Sequence, residues 1–312
     1  MTDENQQWRA EFDAEVTFAN GGALQAQGFR LDVPGPDTGE AELAELFVRR
    51  LGLLMVGSVR ISRTRLVQEP HKDPHTGSAR PRRAQRQAID LSHPVRHGMV
   101  TYPGLPGPEI GHHLTRRASR DHYTPGTEFA IGHISMVSNT GTYLDSPFHR
   151  YEDGTDVAGL PLDRFTDLDG VVVRTLGTHG RAIDRELLLP YDVTGRAVLL
   201  HTGWDRHWGT EQYGSGHPYL TAAAAEWLVG QRAALVGIDS LNVDDTEDGT
   251  RPAHTALLAA GIPVVEHLCG LEQLPLQGFR FHAAPPAVEG MGTFPVRALA
   301  VLDPAGDSGG EG

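Results

Sequence analysis

The first part of the chain alternates between apolar and polar positions. "EVTF" (15–18) and "ALQAQGFRLDV" (23–33) do so on either side of Asn20-Gly21-Gly22, a hairpin-type turn signal. In "GEAELAELFVRRLGLLMV" (39–56), Leu43, Leu46, Phe47, Leu51 and Leu54 recur at spacings of three and four, which predicts a helix with one apolar face. "SVRISRTRLVQ" (58–68) alternates again as a strand does. The expected order is strand, strand, helix, strand, a small α+β unit over residues 1–70. It holds no catalytic cluster, so packing, oligomer contact or partner binding is its expected role. Residues 71–87, "HKDPHTGSARPRRAQRQ", lose the periodicity and are broken by Pro and Gly, as a linker is. Arg80, Arg82, Arg83 and Arg86 within it read as part of a solvated tether.

From residue 88 the texture changes. "AIDLSHPV" reads as a short strand entering a loop, and "FAIGHISMVSN" is strand-like. "GVVVRTL", "AVLLHTGW", "AALVGID" and "IPVVEHL" are β-branched runs bounded by Gly, Asp or Pro, the pattern of strands buried on both faces. Between them, "TAAAAEWLVGQ" has Thr221 as a helix N-cap, and "HTALLAAG" ends at Gly261, a suitable residue just past a helix. Strands mixed with helices indicate an α/β domain, taken here as residues 88–305, followed by a disordered tail over 306–312.

Composition narrows the function. With 27 basic against 40 acidic residues, the net charge of −13 argues against nucleic acid as a partner. No apolar run reaches the roughly 20 residues of a membrane helix. The polar, acidic start "MTDENQQWRAEF" is not a secretory signal. The single Cys269 excludes an internal disulfide and suits the cytoplasm; its apolar setting reads as a small buried hydrophobe.

The candidate chemistry begins at "NTGTYLDSPFH" (139–149). Gly141 permits a bend and Pro147 stiffens the turn, so Asp145 and His149 sit on a rigid, non-helical segment. A carboxylate and an imidazole so placed can ligate a divalent cation, or pair so that the acid orients the ring. Later, "RPAHTALLAAGIPVVEHL" sets His254 at a helix start and Glu266 at the end of a buried apolar strand. A carboxylate there calls for a partner or a metal. Asp239, Asp244 and Asp245 in "GIDSLNVDD" read as turn or helix caps, with Asp239 set apart as a site candidate.

From residue 88 to 302 the chain resembles the cyclase family that includes bacterial kynurenine formamidases and isatin hydrolase. Six ordered segments carry the resemblance: "DLSHPVRHGMVTYPG", "NTGTYLDSPFH", "LLHTGW", "VGIDSLNVDD", "HTALLAAGIPVVEHLCGLEQLP" and "GTFPVRALAVL". It implies an α/β fold with a mixed sheet, a homodimer or homotetramer, a zinc or manganese site, and hydrolysis of an amide, N-formyl or lactam bond in a small aromatic or cyclic substrate. It makes Asp145, His254 and Glu266 metal ligands and His149 a proton-transfer group. It places the His93 and Tyr102 loop near the pocket, and Trp204 is a candidate aromatic wall. Two histidines of the family motif H-x-G-T-H-x-D-x-P-x-H are replaced by Asn139 and Tyr143. Neither is a good ligand for zinc. Three arrangements follow. Asp145, His254 and Glu266 hold one cation with His149 as base; or an oxygen-preferring ion binds; or the site works without metal. In the last, Tyr143 and His149 exchange protons, Asp145 orients His149, and Asn139 hydrogen-bonds a substrate oxygen. The alternatives are a metal-independent cyclase or dehydratase and, from another class, a non-catalytic small-molecule-binding protein on the same fold.

Overall fold

The computed structural model describes residues 6–19, 21–70, 87–176 and 180–302. The expected linker, apart from Gln87, and the expected tail lie outside these. The described residues divide into two compact units. One comprises those up to Gln87 with Arg185–Asp192; the other comprises Ala88–Asp184 and the residues from Val193 onward. Among the described residues no helix is long and apolar enough to cross a membrane.

In the first unit, β1 (Gln6–Phe18), β2 (Ala23–Val33) and β3 (Val56–Pro70) form an antiparallel sheet in the order β2-β1-β3, with α1 (Glu40–Leu51) between β2 and β3 in sequence. Period-two alternation buries Ala10, Phe12, Ala14 and Val16 of β1. Phe12, Phe29 and Phe47 join sheet to helix, with ring centroids 4.9–5.7 Å apart. The helix stops earlier than the apolar spacing predicts. Gly52 turns left-handed (φ 59°) and closes it, so Leu54 falls beyond the helix and is 50% exposed.

The second unit runs β4 (Ala88–Asp90), β5 (Glu109–Leu114), β6 (Ile131–Ser135), β7 (Tyr143–Asp145), β8 (Leu168–Arg174), β9 (Ala182–Ile183) and β10 (Ala197–His201). It continues with β11 (Tyr219–Leu220), α2 (Ala222–Gly230), β12 (Leu235–Ile238), α3 (Pro252–Ala259), β13 (Val264–Glu266), β14 (Phe279–His282), β15 (Thr293–Pro295) and β16 (Leu299–Leu302). Nine strands form one mixed sheet in the order β15-β7-β13-β12-β10-β8-β14-β16-β4. The β-branched runs supply its parallel centre, β8, β10, β12 and β13. Their side chains are buried almost without exception, including Val171, Val172, Leu199, Leu200, Val236 and Val265. Antiparallel strands flank this centre. Thr221 caps α2 through its hydroxyl, which accepts from the Ala224 N–H at 3.3 Å. The strand expected in "FAIGHISMVSN" forms as β6, but outside the main sheet. It pairs only with β5, and all its residues are exposed.

Candidate active site

Strand register assembles the candidate site. β7 lies between β13 and β15, antiparallel to both. Tyr143 stands opposite Glu266, and Asp145 stands opposite Thr293. Residues two apart on a strand share a face, as do directly opposed residues, so these four side chains project together. Leu144, between them, points the other way into the core with Val265. Beyond Asp145, the Ser146 N–H and hydroxyl both bond the Gly292 carbonyl, at 2.7 and 3.0 Å. A single 3-10 turn, Pro147–His149, then returns His149 toward the strand.

Four side chains from distant parts of the chain converge. His254 Nε2 lies 3.5 Å from Asp145 Oδ2 and 3.6 Å from Glu266 Oε1, and His149 Nδ1 lies 3.8 Å from Asp145 Oδ1. Asp145, His149 and His254 can each bring one ligand atom within 4.8 Å of the others. Asp145, His254 and Glu266 are buried, whereas the His149 side chain is 37% exposed.

The surroundings orient each group. Asp244 accepts the Ala253 N–H at 2.6 Å and the His254 N–H at 3.1 Å, capping the start of α3. It also takes the His254 Nδ1 proton at 2.7 Å, leaving Nε2 aimed at Asp145 and Glu266. Thr293 donates its hydroxyl to Asp145 Oδ1, so the His149 Nδ1–H donates to Thr293 Oγ1 at 2.8 Å. Glu266 accepts from the Val243 N–H (2.7 Å), Asn242 Nδ2 (3.3 Å) and the Tyr143 hydroxyl (2.8 Å). Asp145 Oδ2 and His254 Nε2 are both buried without a hydrogen-bond partner. Two such atoms side by side form a cradle that a cation fits, since unpartnered buried polar atoms are otherwise costly.

Charge reinforces that picture. Burial alone would lower the His254 pKa, but Asp145, Asp244 and Glu266 outweigh it and lift it to about 10. Burial raises Glu266 to about 7 despite the opposing pull of His254. Burial also opposes ionisation of Asp145, yet the nearby His149 and His254 hold its carboxyl below the usual range. Positive charge is thus wanted at this point, supplied by a proton on His254 when no cation is bound.

The remaining candidates lie around this cluster. Asn139 accepts from the Ser138 hydroxyl at 3.2 Å. His93 stacks on Trp208 with centroids 3.9 Å apart, and burial followed by the charge of Arg96 lowers its pKa to about 4. A cleft of about 640 Å³ is lined by Pro94, Met99, Thr101, Pro103, Trp208 and Tyr213, among others. Tyr102 sits between two of the lining residues. Trp208 forms part of the wall, and Trp204 instead donates its indole N–H to the Tyr213 carbonyl at 3.1 Å. None of Asp145, His149, His254 and Glu266 lines this cleft. Asp239, set apart in the sequence, is a backbone anchor. It accepts from the Thr202 N–H, the Thr202 hydroxyl and the Gly203 N–H at 2.5–3.0 Å. Its neighbour Asp244, read only as a cap, is the acid that orients His254. Thr293, Asn242, His267, Tyr213 and Trp208 carry no local sequence signal for their placement. Cys269 is half-buried and its thiol is pushed up to about 12, mainly by burial, which removes it as a nucleophile at neutral pH.

Residues 89–245 match the sequence pattern of the family described as "Putative cyclase". The chain belongs to that family. Among its relatives, the kynurenine formamidase of Erythrobacter litoralis (strain HTCC2594) is 30% identical over 203 residues, covering 65% of this chain and 88% of the relative. The kynurenine formamidase of Bacillus cereus (strain ATCC 14579) is 27% identical over 213 residues, covering 68% and 95%. Family folds match as well. Isatin hydrolase A from Ralstonia solanacearum superposes with a TM-score of 0.60 at 23% identity, covering 70% of this chain and 92% of that one. A structure described as a potential metal-dependent hydrolase with cyclase activity gives 0.57 at 22% identity, covering 70% and 98%.

Proposed function

We propose that this cyclase-family protein is a metal-dependent hydrolase. Its substrate would be a small aromatic or cyclic molecule cleaved at an amide, N-formyl or lactam bond. The observation that carries the reading is the buried pair Asp145 Oδ2 and His254 Nε2, which face each other at 3.5 Å and have no other hydrogen-bond partner among the described residues. Asp145 and His254 would hold one divalent cation, with Glu266 as third ligand. This mixed carboxylate and imidazole set suits zinc or manganese. When bound, such an ion polarises a carbonyl and makes a bound water acidic. The relatives described as kynurenine formamidase and isatin hydrolase support the hydrolytic class.

The chain's own groups divide the remaining work. Asp244 keeps the His254 ring in the tautomer whose Nε2 is free. Thr293 links the carboxylate of Asp145 to the ring of His149 through two hydrogen bonds. His149, the exposed member, exchanges protons with solvent and passes one to the departing nitrogen. Asn139 and Tyr143 stay out of the ligand set, and Tyr143 braces Glu266 instead. Trp208, with His93 stacked on one face, forms an aromatic wall of the neighbouring cleft. The same reading carries a homodimer or homotetramer.

The test is elemental analysis of the purified protein with an absorbance assay on formyl-anilides and isatin-like lactams. The expected result is one zinc or manganese per chain with turnover of one substrate class. Folded protein that takes up no divalent metal and turns over neither class contradicts the proposal.

A further inference from the structure

A chain of hydrogen bonds joins the cleft wall to Glu266. The Tyr213 hydroxyl lies 2.8 Å from His267 Nδ1, His267 Nε2 lies 3.2 Å from the Tyr143 hydroxyl, and that hydroxyl lies 2.8 Å from Glu266 Oε2. Tyr143, His267 and Glu266 are almost wholly buried, and Tyr213 is 4% exposed. The direction of the chain follows from its inner end. The Val243 N–H can only donate, and it bonds Glu266 Oε1. Asn242 Nδ2 also donates, to Oε2. In its ionised form, with donors already on both oxygens, Glu266 can only accept, so Tyr143 donates to it. The Tyr143 oxygen then accepts from His267 Nε2. His267 therefore carries its proton on Nε2, and its bare Nδ1 accepts from Tyr213.

We infer that His267 is a positioning residue: held as the Nε2–H tautomer by Tyr213, it turns the Tyr143 proton onto Glu266 and so fixes that carboxylate beside His254. Both ring nitrogens of this fully buried histidine face neutral tyrosine hydroxyls, so the ring sits there without a counter-charge, as a neutral imidazole does. Tyr213 closes the chain at the cleft, so its only proton points inward. The consequence for cation binding rests on the proposed metal site; the tautomer itself does not.

The test uses the full chain, isotopically labelled at its histidine nitrogens. Long-range proton–nitrogen correlation spectra show which ring nitrogen bears the proton, and His267→Gln assigns the His267 signals by their loss. The expected result is a neutral ring protonated on Nε2, whose Nδ1 signal shifts in Tyr213→Phe. A ring protonated on Nδ1, or on both nitrogens, overturns the inference. A second arm titrates cobalt(II) alone. A glutamine at 267 offers an N–H near the place of Nε2, whereas an asparagine reaches only the place of Nδ1. His267→Gln should bind cobalt within about threefold of the parent with the same visible spectrum, and His267→Asn should shift the spectrum and weaken binding about tenfold or more. Identical behaviour of the two variants overturns the positioning role. If the parent protein takes up no cobalt, the metal reading fails and the tautomer still decides this one.

Discussion

At the residue scale the site is a contest over one proton or one cation. His254 Nε2 faces two carboxylates at 3.5 and 3.6 Å, and its pKa of about 10 means that the cation-free protein holds a proton there through neutral pH. A cation must displace it. Between about pH 7 and 10, binding should release one proton, so affinity should rise about tenfold per pH unit. Below about pH 7, Glu266 also binds a proton, and the dependence should steepen. Isothermal titration of zinc in buffers of different ionisation heats measures both; affinity that is flat or falls with rising pH opposes the account. Asp145→Asn and His254→Gln should each lower kcat/KM by about a hundredfold or more and weaken the cation to match. Asp244→Asn should cost about 10- to 100-fold while leaving His254 present, because the ring loses the acceptor that sets its tautomer.

Asp145, His149, His254 and Glu266 were legible in the sequence for a physical reason. Each is a charged or metal-ligating residue pressed against Gly, Pro or an apolar run, where it needs a partner. Asp244, Thr293 and His267 were not legible, because what they do depends on which strand lies beside which. Asp239 and Asp244 look alike in "GIDSLNVDD", and only the fold sends one to a turn and the other to His254.

At the scale of elements, the strands announced themselves by composition, since a buried parallel centre must be apolar on both faces. Their order did not, because hydrophobic runs carry no address. β7 falls in the stretch read only as rigid and non-helical; it is a three-residue strand whose place between β13 and β15 makes the site. Gly292 locks this arrangement. A Cβ there would collide with the backbone of His149, while its carbonyl receives both Ser146 bonds. Gly292→Ala should therefore destabilise the protein by about 1–3 kcal/mol. Activity should fall further than stability explains, because the turn carrying His149 must shift; urea denaturation beside kinetics separates the two, and a variant as stable and active as the parent contradicts the packing described. Helix α1 teaches the complementary lesson. Its apolar spacing runs on past its end, and a left-handed Gly52 decides the stop.

At the scale of the molecule, the N-terminal unit has its own aromatic core, and the candidate chemistry belongs entirely to the second unit. Family membership fixes the fold and supports the hydrolytic class of the proposal, while the two altered positions, Asn139 and Tyr143, concern its cation. The account requires a single ion at the place where Asp145 Oδ2 and His254 Nε2 meet. Its most direct test is the metal content of the purified protein after saturation with zinc or manganese and removal of the excess, compared with His254→Gln. The account predicts one ion per chain in the parent and none retained in the variant. A folded parent that retains no ion, or a variant that retains as much as the parent, contradicts it.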